Sequence, residues 1–347
     1  MNTLHNSQIR LPAEWEPQDA ILIAWPHADS DWQPILEEIS AVYVELSRQI
    51  TAYQTLLIAT PEPEIVSDRL DTAGIDRKNI QIVKVPTNDT WSRDFGPITV
   101  LRDNRPLLLD FGFNGWGLKF PADKDNQVTT RLHAMGIFGK TEKKTLGLIL
   151  EGGSIESDGA GTILTTSECL LNANRNPQLD KIQIETTLTQ VLGAKQIHWL
   201  DHGFLTGDDT DSHIDTLARL CPTNTITYTR CDNPEDEHYS DLQKMEQQLH
   251  QLRTPVGEPY RLIPLPWPKP SYDEAGERLP ATYANYLVIN GAVLVPTYDD
   301  PADQKALHAV SQAYPDRKII GIDSRPVIWQ HGSLHCISMQ IPKGVLP

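Results

Sequence analysis

The sequence predicts an α/β fold assembled from repeated strand–helix–strand units. Short apolar runs rich in β-branched residues alternate, along the whole chain, with stretches whose apolar residues recur at helical spacing. No Gly/Ser linker, low-complexity tract or long charge block divides the 347 residues, so a single domain spanning 1–347 is expected. Residues that combine turn chemistry with titratable groups recur at 94, 151 and 213, intervals of 57 and 62 residues, about one module each. The next, at 336, lies about two intervals further on, and the pattern hints at radial repetition of modules.

The elements follow in order. "ILIAW" (21–25) and "TLLIA" (55–59) are short buried strands, and between them Ile35, Leu36, Ile39, Val42, Leu46 and Ile50 form the apolar face of a helix. A second helical stretch, "EIVSDRLDTAGI", leads to the strand "IQIVKVP" (80–86). The pattern returns as "PLLLDFGF", a helix around 124–135, "LGLIL" (146–150) and "GTILTT" (161–166). Helices near 178–192 and 236–252 then alternate with "KQIHWL", "TNTITYTR" and "RLIPLPW"; the Pro-rich 261–270 is too short and too apolar for a linker. "NYLVINGAVLVP" (285–296) carries the Asn-Gly turn of a two-residue hairpin between strand-forming residues. A helix near 302–314 precedes "KIIGID" and "SLHCISMQI", the latter expected as the last strand.

Composition narrows the function classes. Lys and Arg number 30 against 46 Asp and Glu, a formal charge of −16, which disfavours nucleic acid and favours a small cationic partner. No apolar run approaches the roughly 18 residues of a spanning helix, so no membrane partner is expected. "MNTLHNSQIR" has neither an apolar signal core nor an Arg/Ser-rich amphipathic stretch, and a cytoplasmic address is the expectation. Cys169, Cys221, Cys231 and Cys336 form no CxxC pair and are expected as free thiols.

Four short stretches carry the candidate chemistry. "TNDTWSRDFGP" (87–97) reads as a loop that places an exposed Trp91 beside Arg93 and Asp94. In "EGGSI" (151–155), Glu151 ends an apolar run, a costly place for a carboxylate unless it is paired or needed, and Gly152 and Gly153 permit close backbone approach. Asn174 and Arg175, further on, serve to tie down the loop before Pro177. In "GDDTDSHID" (207–215), His213 and Asp215 would share one side of a strand. Asp208, Asp209 and Asp211 crowd its approach, but the glycine and distal Glu of a calcium loop are missing, and no well-spaced zinc ligand set is present. "GSLHCIS" (332–338) offers Cys336 either as a small buried hydrophobe or as a nucleophile.

A Cys nucleophile needs a base, which His213 supplies, with Glu151 to orient the imidazole. Asp94 and Asp215 would raise rather than lower the pKa of a neighbouring thiol. The conflict resolves if the substrate is itself a cation: a guanidinium pairs bidentately with carboxylates while its charge stabilises the thiolate. Around the presumed mouth, Asp89, Asp208, Asp209 and Asp211 favour an ammonium tail over a carboxylate, and Arg93 is the one nearby cation.

"TWSRDFGP", "EGGSI…TILTTSECLLNANRNP", "DTDSHID…AR", "ATYANYLVINGAVLVPTY" and "LHCISMQIP", in this order over residues 10–342, resemble the agmatine deiminases of the bacterial peptidylarginine-deiminase-type family, within the guanidino-group-modifying superfamily. The resemblance implies a five-bladed α/β propeller, the pentein fold, with pseudo-fivefold symmetry and the active site on the central axis. It implies Cys336 as nucleophile, His213 as general acid/base, Glu151 as its partner, and Asp94 and Asp215 as guanidinium ligands. Trp91 would wall the substrate pocket, with Asp209 and Asp211 as further substrate contacts. No metal, nucleotide or flavin is implied, and a homodimer is a candidate assembly. Four departures border the pocket: Ser212 where glycine precedes the His, Thr216 where Asn is usual, Phe95 where Thr is frequent, and "HGSL" (331–334) in place of a glycine-rich run. The competing readings are a deiminase of arginine or peptidyl-arginine, an amidinotransferase on the same fold, and a non-catalytic binder of polyamine or guanidinium ligands.

Overall fold

In the computed structural model, which describes residues 8–347, one module recurs five times. A strand pairs antiparallel with the next, and that second strand runs parallel to a third across a helical connection. Ile98–Arg102, Arg105–Gly112 and Glu142–Ile149 form one such blade, with helix Val128–Ala134 as crossover. Ile155–Ser157, Thr162–Thr166 and Gln196–Leu200 form the next, with helix Lys181–Leu192. Ala218–Cys221, Thr225–Thr229 and Arg261–Leu265 follow, with helix Tyr239–Gln251. Leu287–Ile289, Ala292–Thr297 and Lys318–Asp323 come fourth, with helix Asp303–Ala313.

The remaining blade joins distant parts of the chain. Met339–Pro342 lies antiparallel to Gln18–Ala24, which runs parallel to Thr55–Thr60, and that strand in turn to Ile80–Lys84. Helices Leu36–Thr51 and Pro63–Thr72 make its crossovers. This is the expected five-bladed propeller. Each second strand is buried over most of its length, on both faces, which is why these strands read as continuous apolar runs rather than alternations.

Several local expectations hold and others shift. The Asn290-Gly291 hairpin forms, with Gly291 at φ +82°. The helix expected around 124–135 divides into a 3₁₀ turn, Asp125–Gln127, and an α-helix from Val128. Residues 87–97 are not all loop: Ser92–Phe95 make a helical turn, and Trp91 is 6% exposed rather than at the surface. "GSLHCIS" is not strand; the last strand begins at Met339, and Cys336 sits in the tight turn before it. Residues 1–7, part of the segment read for a targeting signal, lie outside the described residues. No helix of the described residues is long and apolar enough to cross a membrane.

Helix Lys181–Leu192 closes on Gly193 at φ +72°, and a Cβ there would lie 1.9 Å from the Ile9 carbonyl oxygen. A left-handed backbone alone costs an ordinary residue about 1–2 kcal/mol, and this clash is with main chain. Gly193→Ala is therefore expected to lower stability in chemical denaturation by about 2 kcal/mol or more; an unchanged midpoint would show that the edge strand Ile9–Arg10 yields freely.

Candidate functional site

The turn or strand end just before each blade's antiparallel strand points to the axis. Asp94 lies four residues ahead of Ile98, Glu151 four ahead of Ile155, Asp215 three ahead of Ala218, and Cys336 three ahead of Met339. Asn285, two ahead of Leu287, fills the place that the doubled interval between 213 and 336 leaves. Its buried Oδ1 accepts from the backbone N–H of His335 at 3.0 Å and of Cys336 at 3.2 Å, fixing the turn that carries the thiol. Sequence reasoning missed Asn285, although halving that interval points to its neighbourhood.

His213 and Asp215 do not alternate along a strand. His213 caps a 3₁₀ turn, Ile214–Thr216, and both side chains are completely buried. His213 Nδ1 lies 3.7 Å from Asp94 Oδ1, and neither ring nitrogen has a hydrogen-bond partner among protein groups. Burial drives this imidazole strongly toward its neutral form: its pKa falls to about 3, although Asp215 opposes the shift.

Glu151 does not hydrogen-bond to His213. Its Oε1 accepts from Arg175 Nε at 2.8 Å and its Oε2 is buried without a partner. Arg175 is itself fully buried, donates to the Thr210 carbonyl at 2.8 Å and pairs with Asp211, so it does more than tie down a loop. Asp211 is thereby removed from the expected substrate contacts: Arg175, Lys119 at 2.8 Å and Asn174 at 3.1 Å consume its oxygens. Asp209 does line the pocket.

Asp94 accepts from Gly153 N–H and from Trp116 Nε1, each at 3.0 Å. Burial raises its pKa well above the carboxylate range, and Asp215 and Glu151 add to the effect. Burial works against ionised Asp215 too, but the hydrogen bond from His335 Nδ1 to Oδ2, at 2.7 Å, leaves it below its ordinary value. Asp215 Oδ1 is buried with no partner. Cys336 Sγ is 3.9 Å from Asp215 Oδ2, and burial, then Asp215 and Asp94, push the thiol well up.

Above these groups opens a cavity of about 290 Å³. Trp91, Trp116, Phe120 and Trp329 supply its apolar wall, and Trp91 and Trp116 meet edge to face at 6.3 Å. Asp31, Asp89, Asp94, Asp208 and Asp209 line it, with no Lys or Arg among the described residues. Two of these acids also shape loops: Asp208 accepts from Thr210 and Ser212 N–H, and Asp89, raised by burial to about 6, accepts from Thr90 N–H. Arg93 faces away, with Nε on the His335 carbonyl and NH1 on Gln340, so the expected nearby cation is not in the pocket. Trp116 was missed in the sequence; its only local signal is the glycine on either side.

Glu151, Cys169 and His213 each bring a ligand-type atom within 4.8 Å of the others, as do Glu14, Glu156 and His335. Each cluster already holds a guanidinium, Arg175 in the first and Arg219 in the second, which opposes a cation there.

A propeller whose axis gathers a thiol, an imidazole and partnerless carboxylates beneath an acidic, aromatic pocket defines a guanidino-modifying protein of the α/β-propeller class. The chain belongs to the Porphyromonas-type peptidyl-arginine deiminase family, whose model matches residues 10–342. It is 31% identical to the agmatine deiminase of Pseudomonas aeruginosa (strain UCBPP-PA14), over 96% of this chain and 95% of that one. Among solved structures, substrate-bound agmatine deiminase from C. jejuni, a cysteine-to-serine variant, superposes with a TM-score of 0.92 at 43% identity, covering 99% of both chains. A Porphyromonas gingivalis protein named "Putative Arginine Deiminase" superposes at 0.93 with 47% identity, covering 98% of this chain and all of the other. An amidinotransferase from Microseira wollei, at 12% identity and a TM-score of 0.53, shares the fold alone.

Gly153 is where backbone must come closest to the site. A Cβ there would lie 2.5 Å from His213 Nδ1 and 2.9 Å from Asp94 Oδ1. Gly153→Ala is expected to remove activity while the protein stays folded, because the clash falls on site side chains; steady-state turnover beside a thermal melt checks it, and wild-type turnover would mean that these groups can shift harmlessly.

Proposed function

We propose that residues 1–347 form a single deiminase domain that hydrolyses agmatine to N-carbamoylputrescine and ammonia through a covalent amidino-cysteine. One observation carries the reading. Asp94 and the Cys336 thiol line a pocket bounded by acids and tryptophans, Asp215 lies against the thiol with its Oδ1 buried without a partner, and Glu151 Oε2, near His213, is buried without one as well. Buried carboxylate oxygens left unpaired are costly unless a donor-rich cation completes them. A guanidinium has five N–H groups in one plane and no acceptor.

The chemistry follows from these positions. Cation binding between Asp94 and Asp215 offsets the burial and the negative neighbours that keep the thiol protonated. The thiol proton passes to His213, and the thiolate attacks the guanidinium carbon. His213 returns that proton to the departing nitrogen, the C–N bond breaks and ammonia leaves an S-alkylthiouronium. His213 then takes a proton from water, whose oxygen attacks the same carbon; as the C–S bond breaks, the new hydroxyl gives up its proton, which converts the released ammonia to ammonium, and His213 returns its own proton to the sulfur, restoring the thiol. Glu151, anchored by Arg175, supports the transient imidazolium.

The tail decides between substrates. An arginine carboxylate needs a positive group, and the lining holds acids and His331 instead. We extend the reading to a cytoplasmic protein, supported by four cysteines that are all free and buried.

Ammonia release compared across agmatine, arginine and a peptidyl-arginine tests the assignment. Agmatine is expected to be preferred over arginine by about a hundredfold in kcat/KM, roughly 2.7 kcal/mol at the transition state; equal use would overturn the preference. Cys336→Ser is expected to bind agmatine without turnover, and normal ammonia release from it would remove the nucleophile assignment. Breaking one partner of a desolvated charge pair costs about 2–5 kcal/mol. Asp94→Asn and Asp215→Asn should therefore each lower kcat/KM by thirtyfold or more, whereas mild effects at both would put the guanidinium elsewhere.

A further inference from the structure

His335 precedes the thiol in sequence but points away from the pocket, and nothing in the reaction just described uses it. Its ring lies in the floor of the site and is almost fully buried. Nδ1 faces Asp215 Oδ2 at 2.7 Å and, opposite a carboxylate oxygen, can only donate. Nε2 faces Glu14 Oε2 and Arg219 NH2, each at 3.0 Å. Glu14 is fixed in turn: Oε1 accepts from Val288 N–H at 2.8 Å, and Oε2 pairs with Arg219. Burial opposes its charge, yet His335 and Arg219 hold its carboxyl well below the usual range.

The consequence falls on Asp215. Two buried carboxylates, Asp94 and Asp215, face the same small space, and like charges so placed compete for one proton. Asp94 receives its hydrogen bonds from a backbone amide and an indole, while Asp215 receives one from an imidazole anchored on a second carboxylate. That difference leaves Asp215 Oδ1 buried without a partner and the shared proton on Asp94.

We propose that His335, anchored by Glu14, is a positioning residue that keeps Asp215 ionised and aimed at the cationic end of the substrate. The inference rests on placing the guanidinium between Asp94 and Asp215. Its role is selective for charge: losing the Nδ1–H donor lets Asp215 rotate or take a proton, which weakens a cationic ligand more than a neutral one of the same shape.

Calorimetry in a Cys336→Ser background tests this with agmatine and with N-carbamoylputrescine, whose urea group is neutral. His335→Phe, which keeps a ring and removes the donor, is expected to weaken agmatine by about tenfold or more and to change the urea by less than about threefold. His335→Asn, whose amide N–H stands near the position of Nδ1–H, is expected to recover most of the loss. Glu14→Gln, which leaves the imidazole in place, should give the same selective weakening at smaller size, and it decides the matter with His335→Asn if the Phe variant does not fold. Equal weakening of both ligands, unchanged agmatine affinity, or an Asn variant as damaged as Phe overturns the proposal. Asp94→Asn in the same background reports separately on the guanidinium placement: normal agmatine binding there removes the placement itself, whereas a loss at Asp94 with none at His335 removes only the inference.

Discussion

One guanidinium near the propeller axis makes the arrangement of the site possible. Arg219, 1% exposed, lies between Glu14 and Glu156, donates to the carbonyls of Ala284 and Tyr286, and stacks 4.5 Å over the Tyr286 ring. It thus ties three blades and the segment before Gln18 to the turn that carries the thiol. A buried ion pair adds little net stability, but removing one partner strands the others in a low dielectric. With Arg219 absent, Glu14, Glu156 and Asp215 would stand as neighbouring buried carboxylates with Arg93 and His335 beside them. The floor would have to take up protons or water, and the upper site stands on that floor.

The blade repeat was legible because each second strand is covered on both faces and so spells an apolar run between helical patterns. The candidate residues that gather near the axis were legible because carboxylates, an imidazole and a thiol at the edges of such runs are costly without a use. What failed was parity. His213 and Asp215 share a site, as expected, but through a 3₁₀ turn rather than strand alternation, and Cys336 lies in a turn that the apolar "LHCI" disguised as strand. Charge bookkeeping by sequence neighbourhood failed as well. Asp211 is adjacent to the pocket residues in sequence but is neutralised by Arg175 and Lys119, and Arg93 beside Asp94 projects to the opposite side of the axis. Which way a long side chain runs from a tight turn is set by tertiary partners such as Gln340, over two hundred residues away.

Two departures from the family pattern fall on backbone that glycine would favour. Ser212 has φ +63° and His331 has φ +68°. Left-handed conformations of ordinary residues carry about 1–3 kcal/mol of strain and persist where surroundings over-determine them. Here they are over-determined. Ser212 N–H donates to Asp208 at 2.7 Å and its carbonyl accepts from Thr166 Oγ1 at 2.8 Å, while His331 Nδ1 lies on the Gly207 carbonyl. Both replacements add a side chain at the edge of the site, and His331 stands on the pocket wall beside Gly332, where any Cβ would meet Trp91 at 2.0 Å. At His331 the substitution therefore trades backbone ease for shape on the pocket wall.

On the proposed reading, the groups at the axis suppress one another until a cation arrives. Burial and two carboxylates hold the Cys336 thiol protonated, burial holds His213 neutral, and burial with the added crowding of Asp215 and Glu151 holds a proton on Asp94. Each condition makes a poor resting catalyst. A buried, protonated thiol is also a poor target for oxidants, since the thiolate is the reactive species. A guanidinium between the two aspartates reverses the sign of the local field in one step: Asp94 can ionise, the thiolate gains a positive neighbour, and the thiol proton has the unpartnered imidazole to receive it. Neutral molecules that enter the same pocket produce none of these changes. Selectivity for a cation is thus built into activation of the nucleophile as well as into binding, and the acidic wall above extends it to the substrate's far end.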